Sequence, residues 1–319
     1  MELVPGHTIT INDYDPTHTT ALRNAFAKDM KRRFAELKVV VVESVVKQDC
    51  FGLSKKDKFT TFQMAPTGSG AFSFMRDPEK VEAFMRWLQQ QVDKGLLTVG
   101  DLQQIGSPVQ SAWTNRYVLD SYRRGIMRAR YELIKAGRRD IPQLEESGGM
   151  VWLSGMPMHL DRLGLLFTRV FSELNGITSQ MDTLISQILT QGMIDGEGMR
   201  LIAKKLIAAI DGTGLGSLGI TDKLGRFIPA ERRALLLVRT EVIRAFHLAA
   251  IQEYRNWGLE GVYVMAEWKT AGDDRVCSRC AELENKIFTL DEIEPMIPLH
   301  PRCRCIALPY IEDVVKYYK

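Results

Sequence analysis

The chain has 319 residues and a formal net charge of +3; 45% of its residues are hydrophobic and 25% are charged. This balance is typical of a globular protein that buries a core, and the length is enough for two domains. No apolar run approaches the roughly 18 residues of a membrane-spanning helix, and the first ten residues lack the pattern of a secretory signal peptide. We therefore expect a protein that is made and folded in a cytoplasm.

The first segment has alternating helical and strand-like patterns. A helix is predicted over Thr20–Leu37, and the β-branched stretch Val39–Val46 predicts either a strand or a buried continuation of that helix. Short strands are predicted over Lys58–Met64 and Ala71–Met75, and Asp77-Pro78 is a favourable helix start. The apolar stripe of the first helix consists of Leu22, Phe26, Met30, Phe34 and Leu37.

A long basic helix is predicted over Ser111–Ala136. Between Arg116 and Arg139 the chain has eight basic residues against two carboxylates, so this stretch has a charge of +6 and the rest of the chain sums to −3. Such a stripe favours contact with phosphates or an acidic partner, and the alternative is a solvated helix face. The candidate nucleic-acid-binding residues are Arg116, Arg123, Arg124, Arg128 and Arg130.

Aromatic residues are interleaved with these arginines at Trp113, Tyr117, Tyr122 and Tyr131. They are compatible with stacking on nucleic-acid bases, but helical spacing favours a core-facing side of an amphipathic helix.

The second half of the chain is mainly helical in pattern. Glu145–Gly155 is predicted to link two lobes, and Thr178 is predicted to cap a helix whose apolar face contains Met181, Leu184, Ile185, Ile188 and Leu189. Two more helices are predicted over Gly196–Ile210 and Glu231–Trp257, followed by a strand over Gly261–Thr270.

Within the glycine-rich stretch Asp211–Arg226, Gly214–Gly219 matches the glycine spacing of a dinucleotide-binding loop. That loop requires a strand before it and a helix directly after it, whereas here a helix precedes it and Pro229 follows. Nucleotide binding is therefore not favoured.

These elements predict a mostly helical α+β protein. We divide the chain into an N-terminal helical region with a small β element (residues 1–150), a helical connecting region (151–230) and a C-terminal domain (231–319). The last of these combines a helix, a small sheet and a Cys/His metal knuckle.

The knuckle is predicted from the spacing of four of the five cysteines. Cys277 and Cys280 form a Cys-x-x-Cys turn, and nineteen residues separate it from His300-Pro301-Arg302-Cys303-Arg304-Cys305. An extended Cys303-Arg304-Cys305 directs both thiols to one face and Arg304 away from it.

Two such clusters can complete a tetrahedral zinc site. The candidate ligands are Cys277, Cys280, His300, Cys303 and Cys305. Because five donors compete for four positions, one of the last three is predicted to be spare, and a closed site of this kind is structural and contributes on the order of 10 kcal/mol to folding. Two disulfides, or free thiols, remain the alternatives.

Several of these features occur together in one known family. Arg239-Thr240-Glu241 on a helix, a strand ending in Trp268, Asp273 to Cys280 and His300 to Cys305, with Pro309 after them, resemble the C-terminal domain of the Mu-F-like phage head morphogenesis proteins. The resemblance covers about Ile177 to Tyr310. It implies a minor capsid protein, present in a few copies in the virion head or at the portal vertex after assembly in the host cytoplasm.

The same resemblance implies the partners. They are the portal protein and the major capsid or scaffolding protein, with DNA contact in packaging or ejection for some members, and no membrane. Two alternatives differ in class: a zinc-containing nucleic-acid-binding protein, and a zinc hydrolase or transferase.

We expect no enzymatic activity, because the chain lacks His-Glu-x-x-His and Gly-x-Ser-x-Gly and only His300 of its five histidines lies among cysteines. We interpret Arg239 and Glu241 as ionic anchors, because Glu241 lies three residues before Arg244, a spacing that allows an ion pair on a helix. The alternative is that Arg239 and Glu241 form a catalytic pair.

Overall fold

The computed structural model describes residues 15–52, 77–98, 107–138, 140–142, 144, 146–211, 228–258 and 263–312. These residues are mostly helical with one small antiparallel sheet, so the predicted α+β class is confirmed. The elements are α1 (Thr20–Val42), α2 (Asp77–Val92), α3 (Asn115–Lys135), α4 (Gly149–Ser154), α5 (Pro157–Ile194), α6 (Met199–Asp211), α7 (Ala230–Trp257), β1 (Tyr263–Lys269), α8 (Ser278–Ala281), β2 (Ile287–Phe288), α9 (Leu290–Ile293) and β3 (Ile306–Glu312).

Among the described helices, none combines the length and the apolar character that crossing a bilayer requires.

The chain forms two compact units, each assembled from separated stretches. The first contains described residues in 15–26, 115–167 and 238–312, and the second contains those in 27–114 and 168–237. Both units therefore combine residues from early and late in the sequence. The consecutive boundaries predicted at 150 and 230 stay a prediction.

The first predicted helix is confirmed and is longer than expected. All five side chains of its predicted apolar stripe are buried, and α1 continues through Val42 into a π-helical turn over Glu43–Lys47. Val41 and Val45 are both fully buried at a spacing of four residues, which is a helical period. The continuation proposed for Val39–Val46 is thus confirmed, and the strand alternative is wrong.

Several sequence predictions fall outside the described residues. They are the strands at Lys58–Met64 and Ala71–Met75 and the glycine pattern at Gly214–Gly219.

The predicted helix start at Thr178 is wrong, because Thr178 lies inside the 38-residue helix α5. Its hydroxyl donates to the backbone carbonyl of Asn175 at 2.9 Å, so it bonds to the preceding turn and caps no free N–H group. The five apolar side chains assigned to that face are all buried, as predicted. The predicted linker at Glu145–Gly155 contains the short helix α4.

Helices α3 and α7 pack closely in the first unit. A Cβ atom at Gly125 would lie 2.2 Å from the carbonyl oxygen of Phe246 and 2.8 Å from the Cβ of Ala249. The hydroxyl of Ser121, one turn earlier on α3, donates to the carbonyl of Val242 at 2.6 Å. Glycine therefore allows a backbone approach that no other residue permits at this position.

The sheet has the order β2-β1-β3, with both pairings antiparallel. Val264, Ala266 and Trp268 alternate into a core that also contains Ile251 and Tyr254 of α7. The Tyr254 hydroxyl donates to the carbonyl of Ala307 at 3.1 Å, which ties α7 to β3. The register pairs the end of β1 with the start of β3, so the segments that follow β1 and precede β3 begin side by side.

Candidate metal centre

The Cys-x-x-Cys segment forms a tight turn after β1. Gly272 has a φ of +67°, and α8 then begins directly after Cys277. The carbonyl of Cys277 accepts backbone hydrogen bonds from Cys280 at 3.1 Å and Ala281 at 3.0 Å. This single helical turn brings the side chains of Cys277 and Cys280 to one side.

The second segment places its donors through a β-turn. The N–H of Cys303 donates to the carbonyl of His300 at 3.1 Å, Pro301 is the first central residue and Arg302 has a φ of +66°. A positive φ at the second central position is typical of a type II turn, in which glycine or asparagine is usual. The turn leads directly into Cys303 and Cys305, which are both buried.

The two segments bring all five predicted ligands together. The donor atoms of Cys277, Cys280 and His300 lie within 4.8 Å of one another, and so do those of Cys280, Cys303 and Cys305. Cys280 belongs to both groups, and His300 Nε2 is 3.3 Å from Cys277 Sγ and 3.2 Å from Cys280 Sγ. In a tetrahedral zinc site the corresponding edges measure about 3.5 Å, so the donor set has the chemistry and the spacing of a structural metal site.

The histidine ring is oriented for coordination through one nitrogen. His300 Nδ1 is 2.8 Å from the carbonyl oxygen of Pro301. A proton on Nδ1 donates to that carbonyl, which leaves the lone pair of Nε2 directed at the two cysteine sulfurs. Metal-bound histidines in general use the second ring nitrogen in this way.

An ion pair joins the two ligand-bearing segments. Arg304 binds Asp273 in a bidentate manner at 2.5 and 2.6 Å, and Arg275 binds the same carboxylate at 2.8 Å. The hydrogen bonds from Arg304 and Arg275 hold the pKa of the Asp273 carboxyl well below its usual range. Arg304 therefore contacts the loop before Cys277, while the sulfurs of Cys303 and Cys305 both lie in the donor cluster, as residue alternation predicts, and it clamps the segment that precedes β3 to that loop.

This clamp was not predicted from the sequence, although a signal for it exists. An arginine between two ligand cysteines must point away from them, and Asp273 and Asp274 are acidic residues of the same motif. Which of the two binds Arg304 depends on the turn at Gly272 and is visible only in three dimensions.

The thiols perturb one another because three of them are buried together. A hydrogen bond from Cys305 lowers the pKa of the Cys303 thiol, and the same contact raises the pKa of the Cys305 thiol. Burial raises the pKa of Cys280 to about 12. In the absence of a cation, one thiolate is thus stabilised by neighbours that keep their protons. A bound divalent cation displaces such protons, which is the usual coupling of thiolate ligation to metal binding.

All five cysteines of the chain lie in the described residues, and each is a free thiol there. Cys50 is buried and belongs to the second unit, whereas the ligand-bearing segments belong to the first.

The predicted basic stripe on α3 is partly used in local contacts. Arg124 forms an ion pair with Asp120 at 3.2 Å, and Arg128 forms one with Glu132 at 2.6 Å. Arg116 is exposed and lies over the ring of Tyr117, at 4.7 Å from its centroid. Arg123 donates to the Ser154 hydroxyl at 3.2 Å. The core interpretation holds for Trp113 and Tyr122, which are buried, whereas Tyr131 is exposed.

Arg130 differs from the other candidates on this helix, because it is buried. Its guanidinium contacts Glu253 at 2.9 Å, and that carboxylate also accepts hydrogen bonds from Trp257 at 3.0 Å and contacts His159 at 3.2 Å. Burial opposes ionisation of Glu253, but these hydrogen bonds and the charge of Arg130 lower its pKa overall. The guanidinium of Arg130 is therefore engaged by an ion pair and hydrogen bonds in the interior.

The two charged residues of the Arg-Thr-Glu triplet have different surroundings. Glu241 is buried and contacts Arg244 at 3.2 Å, as the anchor interpretation predicts. Arg239 instead lines a cavity of about 860 Å³ beside the metal centre. The wall of this cavity also includes His300, Arg302 and Arg304.

Comparison with curated proteins and with solved structures gave no match. Comparison with family models matched residues 183–308 to the family described as Phage Mu protein F like protein. The matched region contains all five candidate ligands, the Asp273–Arg304 ion pair and the Arg-Thr-Glu triplet. This region of the chain is therefore similar to the phage Mu protein F like family, the head morphogenesis family that its motifs resemble.

Proposed function

We propose that the protein is a minor head component that acts in procapsid assembly at the portal vertex, and that it catalyses no reaction. The observation that carries this proposal is the coincidence of the family match with the donor cluster, since residues 183–308 contain every candidate ligand. The portal protein and the major capsid or scaffolding protein are the proposed partners, and the head interior or the portal vertex is the proposed location.

The metal centre has a structural role in this proposal. Three cysteine sulfurs of the cluster are buried, and five donors are present for the four positions of tetrahedral zinc. A zinc ion held by four of them has no open position for water, so it supplies no activated nucleophile. It stabilises instead a loop region whose secondary structure is limited to α8, α9 and two-residue β2.

An exposed apolar surface supports association with other head proteins. Val151 and Trp152 on α4 are 73% and 58% exposed, and Leu160 on the first turns of α5 is 53% exposed. Large apolar side chains exposed in this way within one short stretch of the chain are typical of surfaces that another protein covers.

The proposal is tested by deleting the gene from the phage and supplying variants in trans. We expect heads from the deletion to assemble wrongly, or to package or eject DNA poorly, and the wild-type chain to restore them. Cys280→Ser should fail to restore normal heads, whereas Cys50→Ala, a matched change of a buried thiol outside the cluster, should succeed. Pull-down of the restored protein should recover the portal protein.

Particles of normal yield, composition and infectivity without the gene would reject the head-protein function. Restoration by Cys280→Ser as complete as by Cys50→Ala would reject the structural role of the metal centre while leaving the head function in place.

A further inference from the structure

A strongly basic cavity adjoins the metal centre. Its wall contains five arginines from three separate parts of the first unit, while Asp15 is its only carboxylate among the described residues that line it. The arginines are Arg23 on α1, Arg239 on α7, and Arg275, Arg302 and Arg304 around the metal centre.

Carboxylates neutralise only part of this charge. Asp15 contacts Arg23 at 2.7 Å, and Asp273 contacts both Arg275 and Arg304. Five guanidinium groups thus face two carboxylates, a formal excess of three positive charges.

Arg239 and Arg302 account for most of this excess. In the described part of the chain, neither makes an ion pair with a carboxylate. Burial lowers the pKa of Arg239, and the charges of Arg302 and Arg23 lower it further. The fold therefore holds guanidinium groups near one another at an electrostatic cost that a bound anion would offset.

The rest of the wall limits the type of anion. No Phe, Tyr or Trp is among the described lining residues, and the α1 side contributes the hydroxyl of Thr20 and the amide of Asn24. Such a wall offers mainly charge and hydrogen bonds and lacks the large Phe, Tyr or Trp faces on which successive bases stack in single-strand binding proteins. Several guanidinium groups around one space match a group with several anionic oxygens, which is the geometry of phosphate recognition.

We infer that this cavity binds phosphate groups, and that their source is the backbone of a DNA strand. The site is separate from the α3 stripe, because none of Arg116, Arg123, Arg124, Arg128 and Arg130 lines it. The inference does not depend on the portal-vertex proposal, since it rests on the cavity alone.

The most specific test is an isosteric change in the wall. Asn24→Asp adds a negative charge at an exposed helix position without altering the size of the side chain. Asn175→Asp is the matched change at an exposed position of α5 that does not line the cavity. Binding of a short fluorescein-labelled DNA to the full chain is measured by anisotropy over a salt series, with zinc and reductant present. We expect Asn24→Asp to weaken DNA binding about tenfold and Asn175→Asp to leave it unchanged.

A second variant removes a positive charge. Arg239→Gln should weaken DNA binding and reduce the slope of log K against log salt by about 0.7 to 0.9, the change expected for one lost phosphate contact. Arg239→Lys should recover most of the slope. Circular dichroism and thermal melting test whether each variant is folded. If Arg239→Gln does not fold, Asn24→Asp still tests the cavity independently.

Titration with inorganic phosphate alone tests whether the ligand is free phosphate instead of DNA. Titration with polyglutamate tests whether the ligand is an acidic peptide. Loss of DNA binding in Asn24→Asp but not in Asn175→Asp supports the inference. Phosphate binding that Asn24→Asp abolishes, with DNA binding unaffected, supports the phosphate chemistry and overturns DNA as its source. Equal effects of the two variants, no effect of either, or binding of polyglutamate in preference to DNA and phosphate overturns the inference.

Discussion

Replacing Cys280 should remove the metal and unfold the loop region that it organises. Cys280 is the member common to both donor groups, and it is buried at 3% exposure, so its replacement removes a sulfur from each group. Structural zinc contributes on the order of 10 kcal/mol to the folding of such a segment, and a serine hydroxyl is a poor substitute for a thiolate. We therefore expect Cys280→Ser to cost several kcal/mol locally, which exceeds the stability of an ordinary loop.

Two measurements follow the change. Elemental analysis of the reduced wild-type protein, purified without chelator, should give about one equivalent of zinc, and Cys280→Ser should give well under half. Hydrogen exchange should show loss of protection between Gly272 and Cys305, while amides of α3 retain theirs. Cys50→Ala should keep both the zinc and the protection.

Less than half an equivalent of zinc in the reduced wild-type protein would refute the metal assignment. Unchanged protection between Gly272 and Cys305 in a zinc-free Cys280→Ser variant would refute the claim that the metal holds this region together. Rapid reaction of all four cluster thiols with a thiol reagent in the untreated protein would point to free thiols.

Three further changes have expected outcomes. Gly125→Ala should destabilise the first unit by about 1 to 3 kcal/mol or prevent folding, because the added Cβ would overlap the α7 backbone; an unchanged melting temperature would contradict this packing. Burial raises the pKa of the Asp182 carboxyl to about 7 because the folded protein favours its neutral form. This contribution to stability is fully present below the unfolded pKa of 3.8 and is lost as the pH rises through about 7, where the buried carboxyl ionises. Asp182→Asn should therefore increase stability at pH 8 by a few kcal/mol, on the order of the shift, and flatten the pH dependence of unfolding between pH 4 and 8, as followed by denaturant titration. Replacement of Arg123, Arg124 and Arg128 by glutamate should abolish retention on heparin at low salt, and unchanged retention would exclude the α3 stripe as a polyanion contact.

The sequence alone determined the helical elements and the composition of the metal centre. A period of about four residues in α1, α5 and α7 requires a buried helix face, because only that conformation brings such side chains to one side. Likewise, Cys-x-x-Cys followed by a second Cys/His cluster restricts the chemistry to soft metal ligation or thiol oxidation. Thr178 was misread because a threonine has the same local signature whether it caps a new helix or bonds back within a continuous one.

Contacts between distant parts of the chain were decided only by the tertiary structure. The pairing of Asp273 with Arg304 depends on the turn at Gly272, and the commitment of Arg130 to Glu253 depends on the packing of α3 against α7. The same is true of Arg239, whose neighbours in the basic cavity lie 36 to 65 residues later or more than 200 residues earlier in the sequence. Periodicity specifies which face of a helix is buried, but it contains no information about which charge from another segment meets that face, because electrostatic partners are selected by the three-dimensional path of the backbone.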